Sequence, residues 1–495
     1  MVLENNLDVI SNQNIKNSVE ETNKSLTSIV ITYFLWILFV SNAAYLIFNF
    51  SSLSEWNLGN IFRINGFTIL IWSTVTFFSA IVSTYSSSYL KGFKFHSRFM
   101  MLCLGFTISV MLLVMSNNVL LLIFSWLIMG FLMSSLIGID TKWGEAREAS
   151  KFTLKYFLTG TFFLALGILL LAFTSGEFTL SGLASTVNEL PLYITTIAAF
   201  CIIAAAIVQS AIYPFHRWLL SAMTSPTPAS ALMHAGFVNG AGILLALFAT
   251  LLFSSNTLNI LFIIGGFTAI IAQFAKLLQV NVKQKLACST IAQMGFMIMQ
   301  CGLGFFSAAV AHLILHGFYK AYLFLSSGEE IAQTKPKKIK ELKINPIQAI
   351  VVLAFGSLGA FLFALWTGKG LEMDSGLFLT LIAAITVGQA TYNIVKEQSL
   401  SVIQKIIVLP LIFVSGIGIY ALMYNGVTFI MADLPMIAQP MPLSWVQIIF
   451  GIIFLLGFFI MKLGVYRKIP WLYVTLMNVT QPYKKSVLMY KSKSI

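Results

Sequence analysis

Charge is scarce in this sequence. Of 495 residues, 9% are Asp, Glu, Lys or Arg and 58% are hydrophobic, whereas a soluble globular chain is about 25% charged. So few polar residues cannot cover a water-facing surface of this size, which excludes a soluble enzyme, a secreted disulfide scaffold and a disordered chain. Cysteine is scarce too. Cys103, Cys201, Cys288 and Cys301 lie in or beside apolar segments without C-x-x-C spacing. They read as small core residues rather than a disulfide frame or metal site. No G-x-x-x-x-G-K-[ST] occurs, which removes an ATP-driven pump. Between the apolar stretches there is no room for a nucleotide-binding or metal-binding domain, and no cofactor is expected.

What is present is apolar sequence in lengths that span a bilayer, about 20 residues each. Such stretches fall near 27–49, 67–90, 99–115, 117–139, 151–173, 192–213, 226–252, 258–279, 285–303, 306–327, 346–367, 376–395, 403–424 and 444–464. The pattern predicts an all-α, polytopic membrane helix bundle of 13 or 14 spans, the count depending on whether the Pro-containing seventh is broken. Residues 1–26 form a polar tail with Glu4, Asp8, Glu20 and Glu21, without the cationic start and cleavage site of a signal peptide. Residues 27–466 form the transmembrane domain, and 467–495 a basic tail. The net charge of +13 does not point to nucleic acid, because the Lys and Arg sit mostly in short loops and the tail. Every even-numbered loop is basic, from Lys91, Lys94 and Arg98 to Lys335, Lys337, Lys338, Lys340 and Lys343. That bias predicts both termini in the cytoplasm of a cell whose inner (plasma) membrane holds the chain.

An ionisable side chain inside a span costs roughly 2.5–3.5 kcal/mol on insertion scales, so each one needs a reason. His312, His316 and Lys320 stand at i, i+4 and i+8 in AHLILHGFYKAYLFL and fall on one helical face. A lone intramembrane His usually bonds a backbone carbonyl, and a Lys snorkels. Three ionisable groups on one face point instead to a proton or cation path. In the seventh span Pro226 and Pro228 open the helix, Gly236 and Gly240 loosen it, and His234 sits within the apolar run. A broken helix lining a cavity and an ordinary Pro-led helix start with a satisfied core His both fit. Lys276, in the eighth span, either snorkels to the edge or joins the path.

The stretch PFHRWLLSAMTSPTPASALMHAGFVNGAGILL, with VKQKLACSTIAQMGFM (282–297) and HLILHGFYKAYLFLSSG (312–328), resembles the antiporter-like membrane subunits of respiratory complex I and the Mrp antiporters. The likeness covers roughly residues 67–330. Within that superfamily the wording HAGFVNGAG and STIAQMGFM is most similar to the DabB/MpsA type, the membrane subunit of an inorganic-carbon uptake system. The resemblance implies two inverted repeats with broken helices, and ion translocation along His234, Lys276, His312, His316 and Lys320. It also implies a large zinc-binding, carbonic-anhydrase-like cytosolic partner. Complex I subunits carry a Glu after the Trp that is here Trp126, and a Lys where this chain has Gln209. Here Leu127 and Gln209 stand in place of that ion pair, which puts conduction through the first half in question. Losing both partners is physically coherent, since losing one leaves an uncompensated buried charge.

The expected function is that of the ion-conducting membrane subunit of a proton- or sodium-motive-force-driven bicarbonate/CO₂ uptake complex, embedded in membrane lipid. The chain itself is expected to be no enzyme, with any CO₂ hydration on the partner. The alternatives are a monovalent cation/proton antiporter subunit and a proton-pumping subunit of a quinone-linked dehydrogenase.

Overall fold

Hydropathy and capping together set where the helices run. The computed structural model describes residues 26–327, 346–383, 402–463 and 469–487. The polar tail, the basic loop from Lys335 to Lys343, most of the twelfth expected span and the last residues of the basic tail lie outside the described residues. In chain order the helices are α1 (Leu26–Phe48), α2 (Gly66–Tyr89), α3 (His96–Met115), α4 (Val119–Ile137), α5 (Gly144–Ser175) and α6 (Leu180–Thr186). There follow α7 (Leu192–Gln209), α8 (Arg217–Ser221), α9 (Thr227–Ala235), α10 (Gly240–Leu247), α11 (Ala249–Ser254) and α12 (Leu258–Lys276). The remainder are α13 (Val282–Gly302), α14 (Phe306–Leu325), α15 (Pro346–Thr367), α16 (Val402–Ile430), α17 (Trp445–Leu463) and α18 (Pro470–Val479).

Among the described residues, ten helices are long and apolar enough to cross a membrane. The ninth expected span forms a helix, α13, but is not among those ten. Its first two turns carry Lys283, Gln284 and Lys285. Helix α5 starts at Gly144, one to two turns before the apolar run. A polar turn there costs nothing in water. Asparagines start several helices by accepting the orphan amide protons of the first turn: Asn118 Oδ1 takes Leu120 N at 2.9 Å, and Asn281 Oδ1 takes Lys283 N at 2.9 Å.

One small hairpin departs from the all-helical expectation. Strands β1 (Trp56–Leu58) and β2 (Phe62–Ile64) pair antiparallel in the loop after α1, turning through Gly59 in the left-handed region at φ 59°. Arg63 clamps Glu55 at 2.8 Å and holds its carboxyl below the ordinary value. Three-residue strands are too short for periodicity to announce.

The seventh span is broken. Helix α9 ends at Gly236, a tight turn over Phe237–Asn239 follows, and α10 resumes at Gly240. This segment lies at the centre of the bundle, with 89% of its apolar window buried against 11% for the peripheral α1. Helices α12 and α13 pack closest. A Cβ on Gly265 would stand 2.5 Å from Met299 N, and one on Gly295 would stand 2.6 Å from Ala269 N, so hydrogen is the only substituent either position admits. A large apolar core spans α2 to α14, and a second surrounds Phe262, Phe363, Phe378, Tyr424 and Phe450.

Candidate ion-path site

The site is built on α14 and faces the break. The His312 and His316 rings lie one turn apart, with centroids separated by 6.2 Å. Lys320 follows by another turn and is wholly enclosed, at 0% exposure. Its Nζ donates to the Leu286 carbonyl of α13 at 2.9 Å. The same carbonyl accepts from Thr290 Oγ1 at 3.1 Å, and Thr290 Oγ1 pairs with His234 Nδ1 at 2.9 Å. A hydroxyl has one proton to give. With Thr290 donating to Leu286 O, the pair would close with His234 giving its Nδ1–H, which leaves Nε2 as the acceptor. The His234 ring is held flat against Phe324, centroids 4.3 Å apart and planes 16° apart. One carbonyl on α13 thus joins Lys320 to His234.

Three nitrogens in this group lack partners. His234 Nε2 and both ring nitrogens of His316 are buried without a hydrogen bond. Lys320, His312 and His234 are the charged or titratable neighbours of His316. Among the described residues no Asp or Glu is buried, so no carboxylate neutralises this cluster from within the core. Unpaired buried nitrogens of this kind call for water or a mobile proton.

Of the residues singled out from the sequence, His234, His312, His316 and Lys320 come together. Lys276 sits half-buried at the end of α12, with Lys285 and Cys288 as its nearest electrostatic partners, and it also acts on Lys320. Pro226 and Pro228 start α9, while Gly236 and Gly240 bracket the break. Lys283 is a loop anchor: its Nζ donates to Ser225 O at 2.9 Å, just ahead of Pro226. Sequence reasoning missed Thr290 and the Leu286 carbonyl. The first stood inside the quoted STIAQMGFM stretch, and a backbone carbonyl leaves no trace in a sequence. Among the described residues no three His, Cys, Asp or Glu side chains converge to hold a metal ion.

The first half is different. Gln209 is 2% exposed, and its Nε2 donates to Phe237 O at 3.3 Å. The Ser210 hydroxyl donates to Val238 O. Neutral donors thus reach two carbonyls of the break, one of which, Phe237 O, also accepts from Gly240 N. Around them Phe157, Trp218 and Phe237 stack edge to face, with centroids 4.6 to 5.8 Å apart. Trp126 completes the wall beside Gly240, where a Cβ would meet both Gln209 and Trp126.

The architecture is that of a many-helix bundle with one helix broken at its centre and a buried basic face against the break. Comparison with known proteins agrees. The family described as NADH:quinone oxidoreductase/Mrp antiporter, TM, matches residues 116–353. The probable inorganic carbon transporter subunit DabB1 of Halothiobacillus neapolitanus is 36% identical over 283 residues, 55% of this chain and 50% of that one. The DabB subunit of Bacillus anthracis is 34% identical, over 60% of this chain and 59% of its own length. That of Hydrogenovibrio crunogenus is 27% identical, over 88% and 80%. The chain thus spans about half the length of the first of these relatives. Among solved structures, the Mrp complex of Dietzia shares the fold, with a TM-score of 0.56 at 20% identity over 94% of this chain and 52% of that one. The chain is thus similar to the NADH:quinone oxidoreductase/Mrp antiporter membrane subunits and, among curated proteins, to probable inorganic carbon transporter subunits of the DabB type.

Proposed function

We propose that this chain is the ion-conducting membrane subunit of an inorganic-carbon uptake complex, driven by a proton or sodium gradient. One observation carries the reading: a chain similar to DabB subunits buries Lys320 and His316 on one face with the part-buried His312, tied through Leu286 and Thr290 to His234, without a buried carboxylate among the described residues. Such a face holds a proton or cation only transiently, because nothing neutralises it at rest. Movement of the ion along His234, Lys276 and the α14 face would bias the protonation or conformation of a partner. Hydrating CO₂ needs a metal-activated water, usually on zinc with three protein ligands. That step is assigned to a large zinc-binding, carbonic-anhydrase-like cytosolic subunit. The basic even-numbered loops support a reading with both termini in the cytoplasm, of a chain that we take to lie in the plasma membrane.

The test is Lys320→Met in cells that co-express the partner and depend on bicarbonate uptake. An apolar residue is cheaper in lipid, so insertion and abundance are expected to hold while uptake of labelled bicarbonate is abolished. Wild-type uptake should collapse with an uncoupler or on removal of sodium. Full activity of Lys320→Met would overturn the assignment. Gradient-dependent uptake by the purified chain alone would move the carbon site into this bundle.

A further inference from the structure

The last described helix lies across one end of the bundle instead of passing through it. Helix α18 has 10 residues, a length of about 15 Å and half of what a bilayer core requires. Its inner face packs on α12, with Leu476 buried, and Gln279 Nε2 donates to Thr480 Oγ1 at 3.0 Å. The chain then crosses α8, where His216 Nε2 donates to Val479 O at 2.7 Å and Tyr483 N donates to Ser221 Oγ at 2.9 Å. It reaches α5 with the Tyr483 ring stacked on Phe152, centroids 4.4 Å apart. These contacts fix the depth of the segment. Gln279 stands three residues past the end of α12, and Phe152 is the second residue of the apolar run of α5. The segment therefore follows the rim of the bundle, level with the ends of two spans.

Its outer side is apolar and basic. Trp471 is 69% exposed and Val474 is 54% exposed. With the exposed Asn478 they stand at i, i+3 and i+7 and share the side of α18 turned away from Leu476. Tyr473 flanks them, also exposed. Lys484 and Lys485, in the turn after Tyr483, are exposed, and among the described residues neither has a carboxylate partner. Between Leu434 and Ile495 the sequence has seven Lys or Arg and no Asp or Glu. Trp and Tyr favour the boundary between lipid and water, and an apolar helix face flanked by lysines is the pattern of a helix lying in that boundary. At the depth set by Phe152 and Gln279, the anions within reach are lipid phosphates.

We propose that residues 470–487 form a docking surface for anionic phospholipid headgroups. The Trp471–Val474 side of α18 rests in the headgroup boundary, and Lys484 and Lys485 pair with the phosphates of anionic lipids. A lysine near such a surface gains about fivefold in affinity, so the two together select anionic over zwitterionic lipid roughly 25-fold. Salt screens that preference. Because the same segment bonds α12, α8 and α5, lipid held there also holds the rim of the bundle together. This surface is separate from the ion path.

The test uses the full chain reconstituted in phosphatidylcholine vesicles. Among the described residues every cysteine is buried, so a bimane label is directed to Val474→Cys or to Val487→Cys, both exposed positions. Quenching is measured with phosphatidylglycerol or phosphatidylcholine carrying a nitroxide high on the acyl chain, and with aqueous iodide. At Val474→Cys both lipids are expected to quench and iodide is not. At Val487→Cys the phosphatidylglycerol is expected to quench at roughly 25-fold lower mole fraction than the phosphatidylcholine. That preference is expected to vanish in high salt and in Lys484→Gln/Lys485→Gln, whose thermal stability in lipid-free detergent stays at the wild-type value. Equal quenching by the two lipids at Val487→Cys overturns headgroup recognition. A preference that survives the double Lys→Gln change overturns its assignment to these lysines. Quenching of Val474→Cys by iodide and by neither lipid overturns the docking surface and leaves the outer side of α18 to a soluble partner.

Discussion

Lys320 shows how little a buried charge needs when its neighbourhood is right. Its ammonium is enclosed, with one carbonyl partner and no buried carboxylate among the described residues. In the proposed path this ammonium would pass its proton to the unpaired nitrogens beside it. His234 is the counterpart, a ring held by Thr290 through Nδ1 with Nε2 lacking a partner. Thr290→Val is the sharpest probe of that arrangement. Valine keeps the shape and removes the acceptor of His234 Nδ1–H, at a cost of about 0.5–1.5 kcal/mol in stability. Proton flux in vesicles should fall further than that loss explains, and Thr290→Ser should restore it. Equal flux in Thr290→Val and wild type would show that the tautomer of His234 is immaterial.

Elements matter where their backbones meet. The proposed path depends on α13 offering Leu286 O to Lys320, and α13 is fixed by its contact with α12. Gly295 faces Ala269 N at a distance that no side chain fits, so Gly295→Val must push the helices apart. The expected result is a loss of several kcal/mol, in the upper range for single substitutions, seen as a sharp drop in thermal stability of the detergent-solubilised protein. Gly457→Ala, where no atom approaches within 4 Å of the added carbon, should leave stability nearly unchanged. The broken seventh span obeys the same logic in reverse. Its carbonyls at Phe237 and Val238 accept from Gln209 and Ser210, so the interruption is a stable element and not a defect.

On the scale of the whole molecule the two halves differ in what their interiors ask for. Around Gln209 the helix break is dry, aromatic and hydrogen-bonded; around His316 it is basic and incomplete. Gln209→Lys would place an ammonium among Trp126, Phe157, Trp218 and Phe237 at a cost of about 3 kcal/mol, lowering the yield of folded protein. Adding Leu127→Glu should recover part of it, and the recovery is the coupling energy of a double-mutant cycle. Zero coupling would mean that the two positions do not face one another, as expected if Trp126 alone fills the space. The end of the described chain also ties elements together. His216 Nε2 donates to Val479 O at 2.7 Å, Tyr483 N donates to Ser221 Oγ at 2.9 Å, and Tyr483 stacks on Phe152 at 4.4 Å. Burial holds the His216 imidazole below its usual range, against the Val479 hydrogen bond, which favours the charged ring.

By itself the sequence determined a great deal here. Twenty-residue apolar runs dictate spans, because lipid offers backbone groups no partner outside the helix. The spacing of His312, His316 and Lys320 dictates their common face, because helical period is local. Pro226, Pro228 and the glycines after them marked where the seventh span is interrupted. The tertiary structure alone decided what those groups meet. That Leu286 O receives both Lys320 and Thr290, that Gln209 caps a carbonyl 28 residues on, and that Tyr420 on α16 binds Gln300 120 residues earlier all depend on contacts between helices distant in the chain. Hydropathy reports only how a residue prefers lipid to water. Which apolar-looking segment hides an unpaired hydroxyl is settled by the neighbour it packs against, and only close packing chooses that neighbour.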